Sequence, residues 1–378
     1  MDYKLQKDLK YYLALTRFKH VGTVTAKKLI GYCGGAKAIF DLRRKQDFVA
    51  IPDIGEVLAT KILEEIDKKE EYLEWAETEL EFIEAHGIEV LTFHNEDYPR
   101  RLKHCSDSPL LLMKKGKVDL NNERVISIVG TRNATDYGKG FLDELISDLK
   151  EFNPLVVSGL AYGVDIYAHK KCLEHDIPTL AVLGHGFHTI YPGVHKAVSE
   201  RMCENGGLLT EFFSHSKFEK ENFPMRNRIV AGMTDVTIVV ESAKKGGSII
   251  TAELANSYSR DVMALPGDYT RQYSEGCNHL IKNNKAAVIE SVDDMVRLMN
   301  WDVKIENAKR QIQRELFVDL VGDEQKIVDV FQQSPKLPID EISNQTEIPV
   351  SSVSTTLLNL EFKGLIKSLP GKVYELVR

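Results

Sequence analysis

The sequence predicts an α/β protein centred on a Rossmann-like, doubly wound parallel sheet. Three observations lead there. Short apolar runs recur between about residues 122 and 300, each punctuated by Gly, Ser or Pro. Amphipathic stretches of helical length separate them. The runs are apolar throughout rather than alternating, which a strand covered on both faces requires. Strand and helix in regular alternation make a doubly wound sheet.

Taken in order, residues 1–90 read as helix after helix, rich in Lys, Glu, Leu and Ala. Two segments share one design. Val21-Gly22 is followed by Ala26 and Leu29, and Ile54-Gly55 by Ala59 and Ile62. A hydrophobic-Gly step with Ala four residues on resembles the helix-hairpin-helix motif of SAM-like helical domains. There Gly permits the tight turn and Ala lets two helices approach. The phosphate-gripping form carries a second Gly two residues after the first. Here Val24 and Val57 stand at those places, and Glu56 adds a repelling charge. The head is therefore expected to pack or to meet a partner rather than grip DNA.

Residues 91–300 hold seven strand candidates, at 124–129, 155–157, 179–183, 208–210, 236–240, 262–265 and 286–289. Helix candidates lie between them at 137–152, 164–175, 194–205 and 249–258. A polar linker at 301–318 leads to a tail, 319–378, that resembles a winged helix. Its helices are expected at 324–333, 339–344 and 350–362. Gly364 to Leu376 then forms a hairpin turning at Pro370-Gly371-Lys372. The third helix offers hydroxyls and no Lys or Arg between Ser351 and Asn359. The tail as a whole has six basic residues against nine acidic. That balance argues against a helix reading DNA and for a partner-binding or packing module.

Composition sets further bounds. At 378 residues the chain is long enough for two or three domains. No apolar run is long enough to span a bilayer, and the first residues lack a signal peptide, so a cytoplasmic protein is expected. The five cysteines are scattered without a C-x-x-C pair. This fits reduced thiols and no structural zinc, with Cys172 and Cys203 as packing residues. A formal net charge of −7 speaks mildly against nucleic acid. The placement of the arginines answers it.

Ligands of an open parallel sheet bind beyond the carboxyl ends of its strands. Gly130, Thr131 and Arg132 follow the first strand; Gly turns the backbone, Thr donates a hydroxyl and Arg offers a fork of donors for phosphate. Ser158-Gly159-Leu160-Ala161 follows the second, with Asp165 and His169 beyond. Gly184-His185-Gly186 and Tyr191-Pro192 follow the third, and Glu211 the fourth. Phe223, Arg226, Asn227 and Arg228 open a later helix. Glu241 and Ser242 follow the fifth strand, then Lys244, Lys245, Gly246, Gly247 and Ser248, with Thr251 one turn into a helix. A small-residue turn at a helix N-terminus favours an anion. Arg132, Arg226, Arg228, Lys244 and Lys245 are expected to converge on one rim, with Phe223 as a stacking platform. Such a rim suits single-stranded DNA.

The ordered set of motifs is specific. Gly-Thr-Arg, Ser-Gly-Leu-Ala-x-Gly-Val-Asp-x-x-Ala-His, Tyr-Pro, Phe-Pro-x-Arg-Asn-Arg-Ile-Val-Ala-Gly, Gly-Gly-Ser-x-x-Thr-Ala, Pro-Gly and Gly-Cys-Asn-x-Leu-Ile closely resemble the DNA-processing family DprA, or Smf, over about residues 95–290. One departure is Met233, where Leu is usual. The resemblance implies a homodimer, built through the core, that protects incoming single-stranded DNA in natural transformation and helps load the recombinase RecA. It implies no cofactor and no reaction. It places the strand at Gly130, Thr131 and Arg132, with the Arg-Asn-Arg and Gly-Gly-Ser segments alongside.

A competing reading is enzymatic. Rossmann-like phosphoribohydrolases of the lonely-guy type use a Gly-Gly loop, an Arg and a Glu to cleave nucleotides, and Glu211 and Glu241 stand where such a carboxylate belongs. The simpler expectation is that these glutamates pair with Arg226 and Arg228. Asp165 and His169, four apart on a helix, lack further ligands at metal spacing and are expected to hydrogen-bond within the helix–sheet interface.

Overall fold

Valine and isoleucine occupy four of the five positions of β3, Val125–Val129, and all five residues are buried. Such a strand is stable only in mid-sheet with helices over both faces. The computed structural model describes residues 3–216, 218–301, 322–333, 336–363, 365–369 and 373–376. It divides into two units, Met1–Asn300 and Trp301–Arg378.

The first unit begins with α1 (Tyr3–Leu15), α2 (Thr23–Cys33), α3 (Ala36–Ile39), α4 (Lys45–Val49), α5 (Glu56–Ile66) and α6 (Lys69–Ala85). The two segments of shared design enter α2 and α5 in the same way. Gly22 and Gly55 take nearly equal backbone angles, φ −76°, ψ 173° and φ −78°, ψ 171°. Ala26 and Ala59 are buried behind them, while Val24 and Val57 face solvent.

Next come β1 (Glu89–Thr92), α7 (Arg100–Lys103) and β2 (Leu111–Lys115), and then the alternating core. After β3 the core runs α8 (Asp136–Leu149), β4 (Leu155–Ser158), α9 (Val164–Glu174), β5 (Thr179–Val182), α10 (Lys196–Met202) and β6 (Gly206–Thr210). It continues with α11 (Asn222–Gly232), β7 (Val236–Val239), α12 (Gly247–Ser257), β8 (Asp261–Ala264), α13 (Glu275–Lys282), β9 (Ala287–Val288) and α14 (Val292–Met299). All seven expected strands are present, in the order β6-β5-β4-β3-β7-β8-β9. Each neighbouring pair among them is parallel.

Two strands were not expected. β1 and β2 extend the sheet beyond β6, and both of their pairings are antiparallel. Their purpose is seen in the core: Val90, Leu111 and Met113 share one apolar cluster with the head helices. The edge is thereby covered, and the head is fixed to the sheet. Glu79 of α6 adds a polar tie, its carboxylate accepting the N–H (2.8 Å) and hydroxyl (2.6 Å) of Ser214. Two helices are shorter than expected. α8 stops at Leu149 because Asn153 turns to positive φ and Pro154 follows it. α10 is preceded by a 3-10 turn at Gly193–His195.

The second unit comprises α15 (Asp323–Gln333), β10 (Lys336–Pro338), α16 (Ile339–Thr346), α17 (Val350–Phe362), β11 (Ile366–Leu369) and β12 (Val373–Leu376). Its three-stranded sheet has the order β10-β12-β11. Ile327, Phe331, Ile342, Val353, Leu357 and Leu360 join in a core of its own. This is a winged helix. The linker at 302–318, Gly364 and the turn expected at Pro370-Gly371-Lys372 lie outside the described residues. Among the described residues no helix is long and apolar enough to cross a membrane.

Candidate functional site

The chain passes from β3 outward through β4 and β5 to β6, then returns to lay β7 on the other side of β3. Loops leaving β3 and β7 therefore diverge, and a crevice must open between them. It has a volume of about 610 Å³. Gly130, Thr131 and Arg132 line it from β3; Gly159, Ala161 and Asp165 from β4; Phe223, Arg226 and Asn227 from α11; and Ser242, Gly246, Gly247, Ser248 and Thr251 from β7 and α12.

The floor is electrostatically closed. Arg226 is buried, and its Nη1 donates to the carbonyls of Gly159 (2.6 Å) and Val182, while Nε reaches Asn227 Oδ1 at 3.2 Å. Asp165 is also buried and accepts N–H groups from Gly159 (3.2 Å) and Ala161 (3.4 Å). Burial pushes the Arg226 guanidinium below its ordinary pKa; Asp165 opposes this and Arg132 adds to it. Arg226 was expected to face the crevice as a phosphate ligand. It does line the crevice, but its Nη1 and Nε are engaged within the protein, so it serves as a fixed cation in the floor of the site.

The mouth is different. Arg132 is exposed, its guanidinium carbon 5.9 Å from the Phe223 ring centroid. The Thr131 N–H is held by the carbonyl of Glu241 at 2.7 Å, which fixes the turn that presents Arg132. At the start of α12, the N–H groups of Gly247 and Ser248 have no intrahelical acceptor, and the helix dipole adds to their pull on an anion. The Ser248 hydroxyl donates to Ser242 Oγ (2.8 Å), and that of Thr251 to Gly247 O (3.4 Å). Lys244 and Lys245 are exposed on the loop leading to Gly246 and do not line the crevice themselves.

Arg228 does not line the crevice. It points away from the crevice, ion-paired with Glu211 and donating to Asp107 O at 2.8 Å. Helical spacing separates it from Arg226 by two residues, which puts the two on different faces. Glu211 thus pairs with an arginine as expected, but Glu241 does not. Its carboxylate accepts the N–H (2.8 Å) and hydroxyl (2.6 Å) of Thr135, fixing the entry to α8. His169 bonds Thr179 of β5 through Nδ1 at 2.7 Å, within the helix–sheet interface.

Sequence reasoning missed an aromatic wall. Tyr191 and Phe218 are each 45% exposed and lie 4.5 Å apart between centroids; Phe218 is 5.4 Å from Phe223. Lys220 lies on the same wall. His185 anchors it: Nδ1–H donates to Gly186 O (2.9 Å) and Nε2 accepts the Tyr191 N–H (3.2 Å). Burial pushes the imidazole pKa down and so favours the neutral form that this pairing needs. Phe218 is a lone aromatic in a polar stretch, so no periodicity marked it.

The family described as DNA recombination-mediator protein A matches residues 89–300, and its winged helix domain matches residues 318–372. Protein Smf of Synechocystis is 31% identical to this chain over 97% of it and 98% of the relative. The X-ray structure of DNA processing protein A from Streptococcus pneumoniae is similar with a TM-score of 0.64 at 27% identity, over 76% of this chain and 97% of that one. DNA processing protein A from Helicobacter pylori, whose structure concerns its mode of binding single-stranded DNA, is similar with a TM-score of 0.51. It is 28% identical, over 57% of this chain and 96% of its own.

Proposed function

This chain belongs to the DNA recombination-mediator protein A family, DprA or Smf, and from that premise we propose that it binds single-stranded DNA in the crevice between β3 and β7, without chemistry on it. The observation that carries this reading is Arg132 lying exposed over Phe223. One residue offers a phosphate a fork of charged donors while its neighbour offers a base a ring. That pairing is what a strand with unstacked bases needs. Arg132, Lys220, Lys244 and Lys245 serve the backbone together with the amides of Gly247 and Ser248. Phe223, Tyr191 and Phe218 serve the bases. The net charge of −7 is an average over the chain, whereas exposed Arg132 stands close enough to buried Arg226 for the two to repel, with Asp165 offsetting part of the Arg226 charge.

The absence of a reaction is supported by the carboxylates. Glu211 pairs with Arg228 through one oxygen, Glu241 holds Thr135, and neither lines the crevice. In the same reading the protein is a cytoplasmic homodimer that shields incoming strands and hands them to RecA. Exposed Met225 on α11, an apolar side chain outside the crevice lining, suits the dimer contact. The test is a titration of a fluorescent single strand at several salt concentrations beside a nucleotide-turnover assay. Salt-sensitive binding without turnover is expected. Nucleotide hydrolysis without strand binding overturns the proposal in favour of a phosphoribohydrolase.

A further inference from the structure

The loop after β8, residues 266–274, leaves the sheet on the same edge as the crevice, because β8 lies parallel to β7. It starts one strand spacing further on, about 10 Å from the end of β3. It is fastened to both crevice loops. The Tyr273 carbonyl accepts the Ser242 N–H at 2.7 Å, and the Tyr273 hydroxyl accepts Asn133 Nδ2–H at 2.9 Å, next to Arg132. The Tyr137 hydroxyl donates to Pro266 O at 2.6 Å, and Asn278 bonds both the N–H (3.2 Å) and the carbonyl (2.8 Å) of Gly267.

The tip is built as firmly as the base. Asp268 Oδ1 accepts the N–H and the hydroxyl of Thr270, each at 2.8 Å, and the Arg271 N–H donates to Asp268 O at 3.0 Å. Those bonds from Thr270, then the charge of Arg271, hold the Asp268 carboxyl below its usual range. Asp268 is itself exposed, and Arg271 offsets its charge. Beside it the tip presents Tyr269, 86% exposed, with Arg271 exposed two residues on. A large ring held in water on a rigid loop contributes nothing to the core. The hydrogen-bonded loop, however, already holds its backbone in place to present the ring, so ordering the loop costs little on contact.

We propose that residues 266–274 form a second base-stacking subsite for the strand held in the crevice, with Tyr269 as the platform and Arg271 neutralising a neighbouring phosphate. The proposal rests on the crevice being a single-strand site and extends the strand's path across the ends of β3, β7 and β8. The crevice then takes the first few nucleotides, and the loop engages only a strand long enough to reach it.

A length series tests this. Oligodeoxythymidines of about 4, 8, 12 and 20 nucleotides, a range that brackets ordinary single-strand site sizes, are titrated against wild type, Tyr269→Ala, Tyr269→Trp and Arg271→Ala. Tyr269→Ala should lose about tenfold on the two longer strands and nothing on the shortest, as expected for one stacked base. Tyr269→Trp should keep wild-type affinity throughout. Arg271→Ala should make the salt slope shallower by about 0.7 on long strands alone. Thermal melting of each variant should match wild type. If wild type binds every length and Tyr269→Ala matches it, the subsite is wrong while the crevice stands. A Tyr269→Ala loss equal at all lengths also overturns the subsite. If wild type fails to bind the ~20-mer, the crevice reading falls, and the subsite with it.

Discussion

Arg226 occupies the space that a side chain on Gly159 would need: a Cβ there would lie 2.5 Å from both terminal nitrogens of the guanidinium. Two residues far apart in sequence are therefore matched, one by having nothing and the other by filling the gap with buried charge. Removing the cation leaves the Asp165 carboxylate buried beneath the crevice without its counter-charge. Arg226→Ala should cost about 3–5 kcal/mol of stability. Gly159→Ala, which only displaces the guanidinium, should cost about 1–3 kcal/mol. Urea denaturation with an unchanged m-value measures both. A well-folded Arg226→Ala protein that merely lost strand affinity would instead make Arg226 a surface phosphate ligand.

Arg132 should behave in the opposite way. It is exposed, and its contact is with a neighbouring ring, so Arg132→Ala should melt like wild type. Strand affinity should fall similarly for all base compositions, because phosphate contacts carry no sequence information. The log–log salt slope should become shallower by about 0.7, the share of one phosphate. Phe223→Ala should lose about 1–3 kcal/mol of affinity with the slope unchanged, since stacking releases no counterions. Unaltered affinity and slope in a folded Arg132→Ala protein would remove this crevice as the binding site.

The strands of the parallel core were legible because short uninterrupted apolar runs set between helical stretches have few other uses. β1 and β2 were not legible, since they mix charged and apolar positions and derive their meaning from the head packed on them. Gly130 to Arg132 and Gly246 to Ser248 could be placed by the rule that loops follow strand ends. What the sequence could not give was the direction of a side chain within one turn of helix. Arg226 and Arg228 look equivalent as Arg-Asn-Arg, yet one lies under the crevice and the other is paired with Glu211 away from it. Phe218 entered the site through the folding of a polar loop, which leaves no periodic trace.

His169 predicts a pH dependence. The Thr179 hydroxyl donates to Val156 O at 3.0 Å, so it accepts from His169 Nδ1–H and leaves Nε2 as the unprotonated nitrogen, without a partner. Burial, with the charge of Arg226 adding to it, pushes the imidazole pKa down to about 3. The unfolded chain takes up this proton near pH ~6.5 and the folded protein does not. The stabilisation is therefore complete above ~6.5, declines as pH falls through the window, and levels off below about 3. Relative to His169→Leu, wild type should lose on the order of 3 kcal/mol between about pH 7 and about pH 4. Parallel denaturation curves for the two proteins would show no such divergence if the imidazole were protonated in the fold.

The winged helix should be dispensable for strand affinity. Two of its four described basic side chains are engaged, Lys363 with Glu324 at 2.6 Å and Lys367 with Glu375 at 3.1 Å, while Lys326 and Lys336 are exposed in a unit where acidic residues outnumber basic ones. The exposed face of α17 carries Ser351, Ser354, Thr355 and Leu358, which neutralise no phosphate. The unit has an apolar core of its own. A protein ending at Asn300 should bind a long single strand within about tenfold, or ~1.4 kcal/mol, of the full chain. Its salt slope should also be the same, because that slope counts phosphates and the tail is expected to hold none. A larger loss accompanied by a shallower slope would mean that lysines of the wing exchange their glutamates for DNA. A larger loss with the slope intact would point instead to a tail that acts on the strand through contacts without charge.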